Sequence, residues 1–143
     1  MSMAPLSAQR VLETIHQICR FTVASIWFYQ GLVPKWLGPH PDELAMALVF
    51  GLSSGLAPLA SYAAGAAEMA FAVCLVVFHR QTWPQLTSAI AMVGLLLFVV
   101  IFAPAYLSAA FNPVTMNVAT CALSVIAVLT LRSARQATGA ACV

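Results

Sequence analysis

The sequence contains very little charge. Only 7% of its 143 residues are charged, six basic and four acidic, whereas 62% are hydrophobic and the mean hydropathy is +0.95. A soluble domain carries about a quarter charged residues. The composition therefore excludes an ordinary soluble domain and predicts an integral membrane protein in contact with the lipid bilayer. The net charge of +2 is small and dispersed, so no nucleic-acid partner is expected.

The sequence also lacks recognisable metal-binding or catalytic motifs. Its four cysteines show no C-x-x-C spacing, and a free cysteine within an apolar run behaves as a small hydrophobe. No H-E-x-x-H motif, phosphate loop or nucleophile–base pair occurs. His16 and His79 lie near one predicted interface and His40 lies in the opposite loop, which disfavours a bis-histidine haem. We therefore predict no metal site and no catalytic residues in this chain alone.

The N-terminal segment lacks the order of a cleavable signal. It is polar and carries Arg10, Glu13, His16 and Arg20, whereas a signal peptide has a short basic segment followed by an apolar one. We expect it to be retained.

Four apolar segments approach the length of about 20 residues that a spanning helix needs. They are residues 11–33, 59–78, 86–103 and 114–131. Proline-containing breaks separate them, and Pro34 follows the first. The predicted fold is all-α, a transmembrane four-helix bundle in a single domain over residues 1–143.

The segment between the first two spans is ambiguous. Pro41 followed by Asp42 and Glu43 is typical of a helix start, because acidic side chains are favoured beside the free amides there. The apolar part, residues 44–52, is too short to cross a bilayer. We predict a short interfacial or re-entrant helix, with a fifth span as the alternative.

The basic residues predict the orientation. Arg10, Arg80, Arg132 and Arg135 fall on one side of the four spans, Arg20 lies toward that side, and only Lys35 is on the other. Because cytoplasmic loops are enriched in Lys and Arg, both termini are expected in the cytoplasm.

Glu68 and Arg20 are the ionisable residues predicted deepest in the bilayer. Glu68 lies twelve residues before Arg80, and Arg20 lies ten after Arg10. At about 1.5 Å per residue, both are roughly 15 to 18 Å from those arginines. One interpretation is an ion pair between the first two spans; another is a carboxylate that handles protons or binds a ligand. A third is that Arg20 extends to the headgroups and leaves Glu68 protonated.

A second group of polar residues is predicted in an outer layer. Its members are Tyr29, Gln30, Tyr62, Asn112 and Asn117. Such side chains stabilise helix contacts in membranes, and Gly31 allows close approach of two backbones. The alternative is a shallow pocket lined by Gln30, Tyr62 and Asn117. Its aromatic walls would be Trp27, Trp36 and Tyr106, with Lys35 and His40 at its rim.

Several motifs together resemble the DoxX-like family of small four-helix membrane proteins. They are "ASIWFYQGLVPKWLGPHPDEL" with the preceding Arg20, "AGAAEMAFAVCLVVFHR" and "AAFNPVTMN". The resemblance covers most of the chain and implies a multi-pass protein of the bacterial cytoplasmic membrane. It also implies association with quinone-linked oxidation and with oxidoreductase or short-chain dehydrogenase-like proteins. The chain has no cysteine pair for thiol redox chemistry of its own.

The function expected from residues and resemblance together is that of a non-catalytic accessory subunit of a membrane redox system, with a quinone as the suggested cofactor. Two alternatives stay open. The first is a carrier or binding protein for a quinone-like or other small amphiphile. The second is a structural or assembly protein, and self-association is compatible with each of these roles.

Overall fold

The computed structural model describes residues 4–108 and 113–140, and this part of the chain is all-α. It contains five α-helices, which are α1 (Ala4–Gly31), α2 (Pro41–Val49), α3 (Ala57–Val77), α4 (Trp83–Phe102) and α5 (Pro113–Ala140). A π-helical turn, Leu32–Trp36, follows α1, and a 3-10 turn, Pro104–Ser108, follows α4. The predicted all-α class is confirmed, and a short helix does begin at Pro41.

Prolines mark the beginnings of helices more often than their ends. Pro41 and Pro113 are the first residues of α2 and α5, and Pro58 and Pro84 lie in the first turns of α3 and α4. A proline fits there because the first amides of a helix have no partner within it. The helices therefore start a few residues earlier than the apolar segments suggested.

The end of α1 is shaped by Pro34. Since proline has no backbone hydrogen to donate, the α-helical ladder is interrupted and the chain widens into the π-helical turn. The Leu37 amide donates to the Leu32 carbonyl, at 2.8 Å, across this turn. The turn carries Lys35 beyond the end of α1 and against the neighbouring helix α3.

Helix α1 is the centre of the bundle. It packs against α3 on one side and α5 on the other, while α4 packs mainly on α5 and α2 lies against α3. Along α1, the contacts with α3 and with α5 follow in reverse chain order, so α1 is antiparallel to both helices. We call the end with the start of α1 and the α3–α4 turn the termini end, and the opposite one the α2 end.

Two glycines let α1 and α3 cross at close range. A Cβ built on Gly31 would lie 2.5 Å from the carbonyl oxygen of Gly65, and one on Gly65 would lie 2.6 Å from that of Gly31. No side chain can occupy either position unless the backbones separate. The close approach expected of Gly31 is therefore present, and its partner is Gly65.

Toward the termini end, buried side chains form hydrogen bonds between helices. Trp27 Nε1 donates to Ser88 Oγ at 2.9 Å, and Ser124 Oγ lies 3.0 Å from Ser88 Oγ. The His16 ring nitrogens lie 2.9 Å from the carbonyl oxygen of Ala127 and 3.2 Å from that of His79. We call this part of the molecule, from Trp27 to His16, the hydrogen-bonded half.

Among the described residues, three helices are long and apolar enough to cross a membrane, judged by length and composition: α3, α4 and α5 over Pro113–Ala137. The outer surface of α4 is apolar, with Ile90, Leu97 and Ile101 each more than half exposed. Such a surface suits contact with lipid rather than water. Helix α1 carries Arg10, Glu13 and Arg20 in its first two thirds and is not one of these three.

Candidate binding site

A cavity of about 360 Å³ lies at the α2 end of the bundle, and each of the five helices contributes to its walls. Most of its surface is apolar, and the polar groups lie on α1, α3, α5, α2 and the π-helical turn. The polar lining residues are Gln30, Lys35, Glu43, Ser61, Glu68 and Asn117. Ligand sites typically combine apolar walls with a few polar groups in this way.

Three charged side chains meet at the cavity. Lys35 Nζ lies 3.2 Å from Glu43 Oε1 and 3.2 Å from Glu68 Oε2. The three side chains are only 12%, 27% and 18% exposed, in the order Lys35, Glu43, Glu68. Glu68 Oε2 is buried, and Lys35 Nζ is the charged group in contact with it. We call this group the charged cluster.

The positions of these three residues follow from local structure. Glu43 is in the first turn of α2, and Lys35 is in the π-helical turn. Glu68 follows Gly65 by three residues, so both lie on the face of α3 that meets α1. A Cβ on Gly65 would lie 2.9 Å from the Cβ of Lys35. The glycine crossing therefore holds Lys35 beside Glu68.

A buried serine faces the same cavity. Ser61 is 6% exposed, and its hydroxyl has no hydrogen-bond partner in the part of the chain that the structure describes. It lies seven residues, or two helical turns, before Glu68 and so on the same face of α3. A buried hydroxyl normally has a partner. Its lack of one here is consistent with a ligand in the cavity.

Two amide side chains also line the cavity. Asn117 on α5 is buried, at 9% exposed, and Gln30 Nε2 on α1 lies 2.8 Å from the Met116 sulfur. A thioether is a weak hydrogen-bond acceptor. The Gln30 side chain therefore keeps hydrogen-bonding capacity that a ligand could use.

The apolar walls come from α2, α4 and the residues after α2. Phe50 and Phe98 stack with ring centroids 4.4 Å apart and planes 3° apart. Met46, Met92 and Met116 complete much of this surface. Methionine is flexible, so such a wall can adapt to the shape of an apolar group.

Residues 24–125, most of the chain, match the DoxX-like family. The chain belongs to the DoxX-like family. It is accordingly a multi-pass membrane protein. No curated protein and no solved structure matches the chain. Every residue that lines the cavity lies inside the segment that matches the family.

Of the site residues predicted from sequence, four line the cavity of this DoxX-like protein: Gln30, Lys35, Glu68 and Asn117. Trp27, predicted as an aromatic wall, also lines it. Their assignment to ligand binding is still a prediction. Asn112 lies outside the described residues.

The other predicted site residues lie elsewhere. Tyr29 is 60% exposed on the outer surface of α1, and Tyr62 is 39% exposed and packs edge-on against Trp36 at 6.0 Å. His40 Nδ1 accepts a hydrogen bond from the Asp42 amide at 3.3 Å and so caps α2. These three side chains do not line the cavity.

Arg20 is not the partner of Glu68. It is 8% exposed, its Nη1 donates weakly to the Val76 carbonyl at 3.5 Å, and its guanidinium lies 4.6 Å from the Phe21 ring centroid. Val76 is eight residues beyond Glu68, roughly 12 Å along α3. The depth of Arg20 counted along the helix from Arg10 was misleading, because α1 extends past the level of the α3–α4 turn. His16, not Arg10, is level with that turn.

Sequence reasoning missed Glu43, Ser61 and the Phe50–Phe98 pair as parts of the site. The acidic pair after Pro41 was interpreted only as a helix start, although Glu43 also binds Lys35. The spacing of seven between Ser61 and Glu68 was the available signal for a shared polar face on α3. The aromatic stack joins distant segments, and no local pattern predicts it.

A hydrogen bond holds α2 in place in addition to the Lys35–Glu43 ion pair. The Tyr106 hydroxyl donates to Asp42 Oδ1 at 3.0 Å, which joins the 3-10 turn after α4 to the first turn of α2. Loss of solvent raises the pKa of Tyr106, and the hydrogen bond to Asp42 and the charge of that carboxylate raise it further. The phenol therefore keeps its proton, and this contact, at neutral pH.

The described residues contain no group of three or more His, Cys, Asp or Glu side chains able to hold a metal ion. Cys19, Cys74 and Cys121 are free thiols. Cys142 lies outside the described residues. Two further buried polar groups, Arg20 Nε and the Gln85 amide, have no hydrogen-bond partner in the described part, and neither residue lines the cavity.

Proposed function

We propose that this DoxX-like protein binds a small amphiphile in the cavity at the α2 end. The observation that carries the proposal is the combination of apolar walls with the charged cluster of Lys35, Glu43 and Glu68. A volume of about 360 Å³ falls within the range of roughly 300–1,000 Å³ that is common for ligand sites. The polar head would contact the charged cluster, and the apolar part would lie against Phe50, Phe98 and the methionines.

The family resemblance supports a more specific second proposal. In it, the amphiphile is quinone-like and the chain is a non-catalytic accessory subunit of a quinone-linked redox system. Its partner would then be an oxidoreductase or a short-chain dehydrogenase-like protein. An aromatic ring with polar substituents suits the Phe50–Phe98 wall and the charged cluster. A purely structural or assembly role is the alternative that binding experiments would leave if no ligand were found.

We further propose that α1 is a fourth span, that α2 lies at the membrane interface and that both termini are cytoplasmic, in a bacterial inner membrane. Arg80, Arg132 and Arg135 lie toward the termini end, whereas Lys35 at the α2 end is paired with carboxylates. This distribution supports a cytoplasmic termini end. Reporters fused after Arg135 and in the Arg80 turn should be cytoplasmic, and one after Lys35 external. An external reporter after Arg135 would overturn this topology.

Native mass spectrometry of the purified protein tests the binding proposal, and a cavity-filling variant makes it specific. Ala64 and Ala66 are both exposed on α3, but Ala64 lines the cavity and Ala66 does not. We expect a stoichiometric amphiphile with the wild type and with Ala66→Phe, and loss of it with Ala64→Phe. An equal amount in both variants would show that the amphiphile binds elsewhere, on the lipid-facing surface. Co-purification of an oxidoreductase would support the accessory role.

A further inference from the structure

The charged cluster has more hydrogen-bond acceptors than donors. Two carboxylates, Glu43 and Glu68, share the single ammonium group of Lys35. A carboxylate only accepts hydrogen bonds, at up to about four positions, whereas an ammonium group donates three. Glu68 Oε2 is buried, and besides its ion pair with Lys35 it has no donor among the described residues. A further donor at this oxygen would therefore complete the cluster.

The neighbouring groups decide what kind of donor fits. With both carboxyl groups ionised, the cluster has one negative charge in excess. A second cation could balance it, but Lys35 Nζ lies 3.2 Å from Glu68 and would repel that cation. The remaining walls are mostly apolar and would disfavour a further charge. A neutral hydroxyl avoids both costs and can still donate to the Glu68 carboxylate.

Ser61 is an independent sign that a ligand occupies this face of α3. Its hydroxyl is buried and unpartnered among the described residues, and it lines the same cavity two turns from Glu68. Ser61 can donate or accept, as can Asn117, so neither residue rejects a ligand by the type of its polar group. Discrimination between ligands therefore falls to Glu68.

We propose that the cavity selects amphiphiles whose polar head is a hydroxyl, a phenol or an alcohol, and that Glu68 accepts the hydrogen bond from this hydroxyl. The inference rests on the proposed binding function and adds the chemical class of the ligand. Selectivity arises because an ether or carbonyl at the same place would set two acceptors against each other, so of a quinone-like ligand the site would favour the reduced, hydroquinone form. A site built around a buried hydrogen-bond partner strongly rejects analogues that lack the matching group.

Three probes that differ only in the polar head test the inference on the full chain in detergent. They are para-heptylphenol, its methyl ether para-heptylanisole, and para-heptylbenzylamine. Trp27 lines the cavity, so quenching of its fluorescence can report binding. The Ala64→Phe variant, designed to fill the cavity, gives the background from probe that partitions into detergent micelles. We expect the phenol to bind at least about tenfold more tightly than the ether, the effect of one hydrogen bond to a charged group.

Two variants then test which residue produces the preference for the phenol over the ether. Glu68→Gln should reduce the preference for the phenol, because a neutral amide is a weaker acceptor than a carboxylate. Ser61→Ala should keep the preference, since Ser61 does not distinguish donors from acceptors. Because the three-probe comparison uses the unmodified chain, the inference can be tested even if Glu68→Gln folds poorly.

The outcomes separate this inference from the proposed function. Equal binding of phenol and ether, blocked by Ala64→Phe, would overturn the hydroxyl preference and leave the binding function intact. Tightest binding of the amine would overturn it in favour of a cationic ligand. If no probe binds more tightly to the wild type than to Ala64→Phe, both the inference and the proposed function fail.

Discussion

The two halves of the bundle use buried polar side chains in different ways. In the hydrogen-bonded half, Trp27, Ser88 and Ser124 bond to one another across three helices, and His16 reaches two backbone carbonyls. In the cavity half, by which we mean the residues lining the cavity other than Trp27, Ser61 is also buried, at 6% exposed, but has no partner in the described part. Partnered groups stabilise helix packing, whereas groups left free beside a cavity are available to a ligand.

The comparison also explains why two basic side chains of similar burial differ in importance. Lys35 connects carboxylates from two helices. Among the described residues, Arg20 contacts one backbone carbonyl and the ring of its own neighbour, Phe21. Burial of a basic side chain therefore says little about its role. The number of opposite charges that it holds together says more.

The largest expected effect comes from removing Lys35. Lys35→Met leaves Glu43 and Glu68 beside each other without a cation and should cost about 3 kcal/mol of unfolding free energy, part of which protonation of a carboxyl can recover. Thermal unfolding in detergent gives the measurement. The double variant with Lys35→Met and Glu68→Gln should lose less unfolding free energy than the sum of the losses in the two single variants.

Arg20→Met is the matched control for this cycle. Since an apolar residue can replace a poorly paired buried charge at little cost, its effect should be near zero. The effects of Arg20→Met and Glu68→Gln should be additive, because about 12 Å of helix separates Glu68 from the level of Arg20. Coupling between Arg20 and Glu68, with none between Lys35 and Glu68, would contradict the assignment of the ion pair.

The glycine crossing lies beside the charged cluster, so widening it should damage the cavity half first. Gly65→Ala places a methyl group 2.6 Å from the Gly31 carbonyl oxygen and should destabilise the protein by about 1–3 kcal/mol. Gly94→Ala is the control, because nothing lies within 4 Å of a Cβ there. It should be neutral or stabilise α4 by roughly 0.5–1 kcal/mol. Equal melting temperatures for the two variants would argue against a close crossing.

A pair of buried serines compares the halves most directly. Ser88→Ala removes the shared partner of Trp27 and Ser124 and should cost about 1 kcal/mol. Ser61→Ala removes a hydroxyl that has no partner in the described part of the chain and should change stability little without ligand. Chemical denaturation of ligand-free protein would distinguish them. A larger loss for Ser61→Ala would mean that this hydroxyl is structural, and the contrast between the halves would fail.

The smallest expected effect concerns Tyr106, outside the membrane-spanning helices. Its pKa is raised, so its contact with Asp42 persists below the ordinary tyrosine value of about 10 and is lost as the pH rises through the raised value. Asp42→Asn removes the negative charge and should lower the pKa of Tyr106. Phenolate absorbance, with Tyr106→Phe as the blank, measures it. An unchanged titration would mean that the carboxylate does not influence this phenol.

Sequence reasoning was most successful where the rule was local. Proline and acidic residues predicted the start of α2, apolar length predicted α3, α4 and α5, and Gly31 predicted a close helix contact. These features depend on neighbours a few residues away or on composition alone. The four-span arrangement and its orientation remain proposals.

The composition of the charged cluster could not be predicted because it depends on the relative heights of helices. The choice of Arg20 as the partner of Glu68 required a common level for Arg10 and Arg80, and α1 is too long for that. The π-helical turn, which moves Lys35 toward α3, also has no clear sequence signature beyond Pro34. The aromatic stack of Phe50 and Phe98 depends on the fold as a whole.

The central position of α1 has a consequence for biosynthesis. Of the five helices, α1 is made before the others and α5, one of its two main partners, is made after them; α4 also packs mainly against α5. A nascent chain that stops before Pro113 can join α1 to α3 but leaves α4 without its principal neighbour. We therefore expect the newly made helices to stay incompletely packed in the lipid until α5 leaves the ribosome. The mature cavity, which includes Asn117, would then form only after translation has passed that residue.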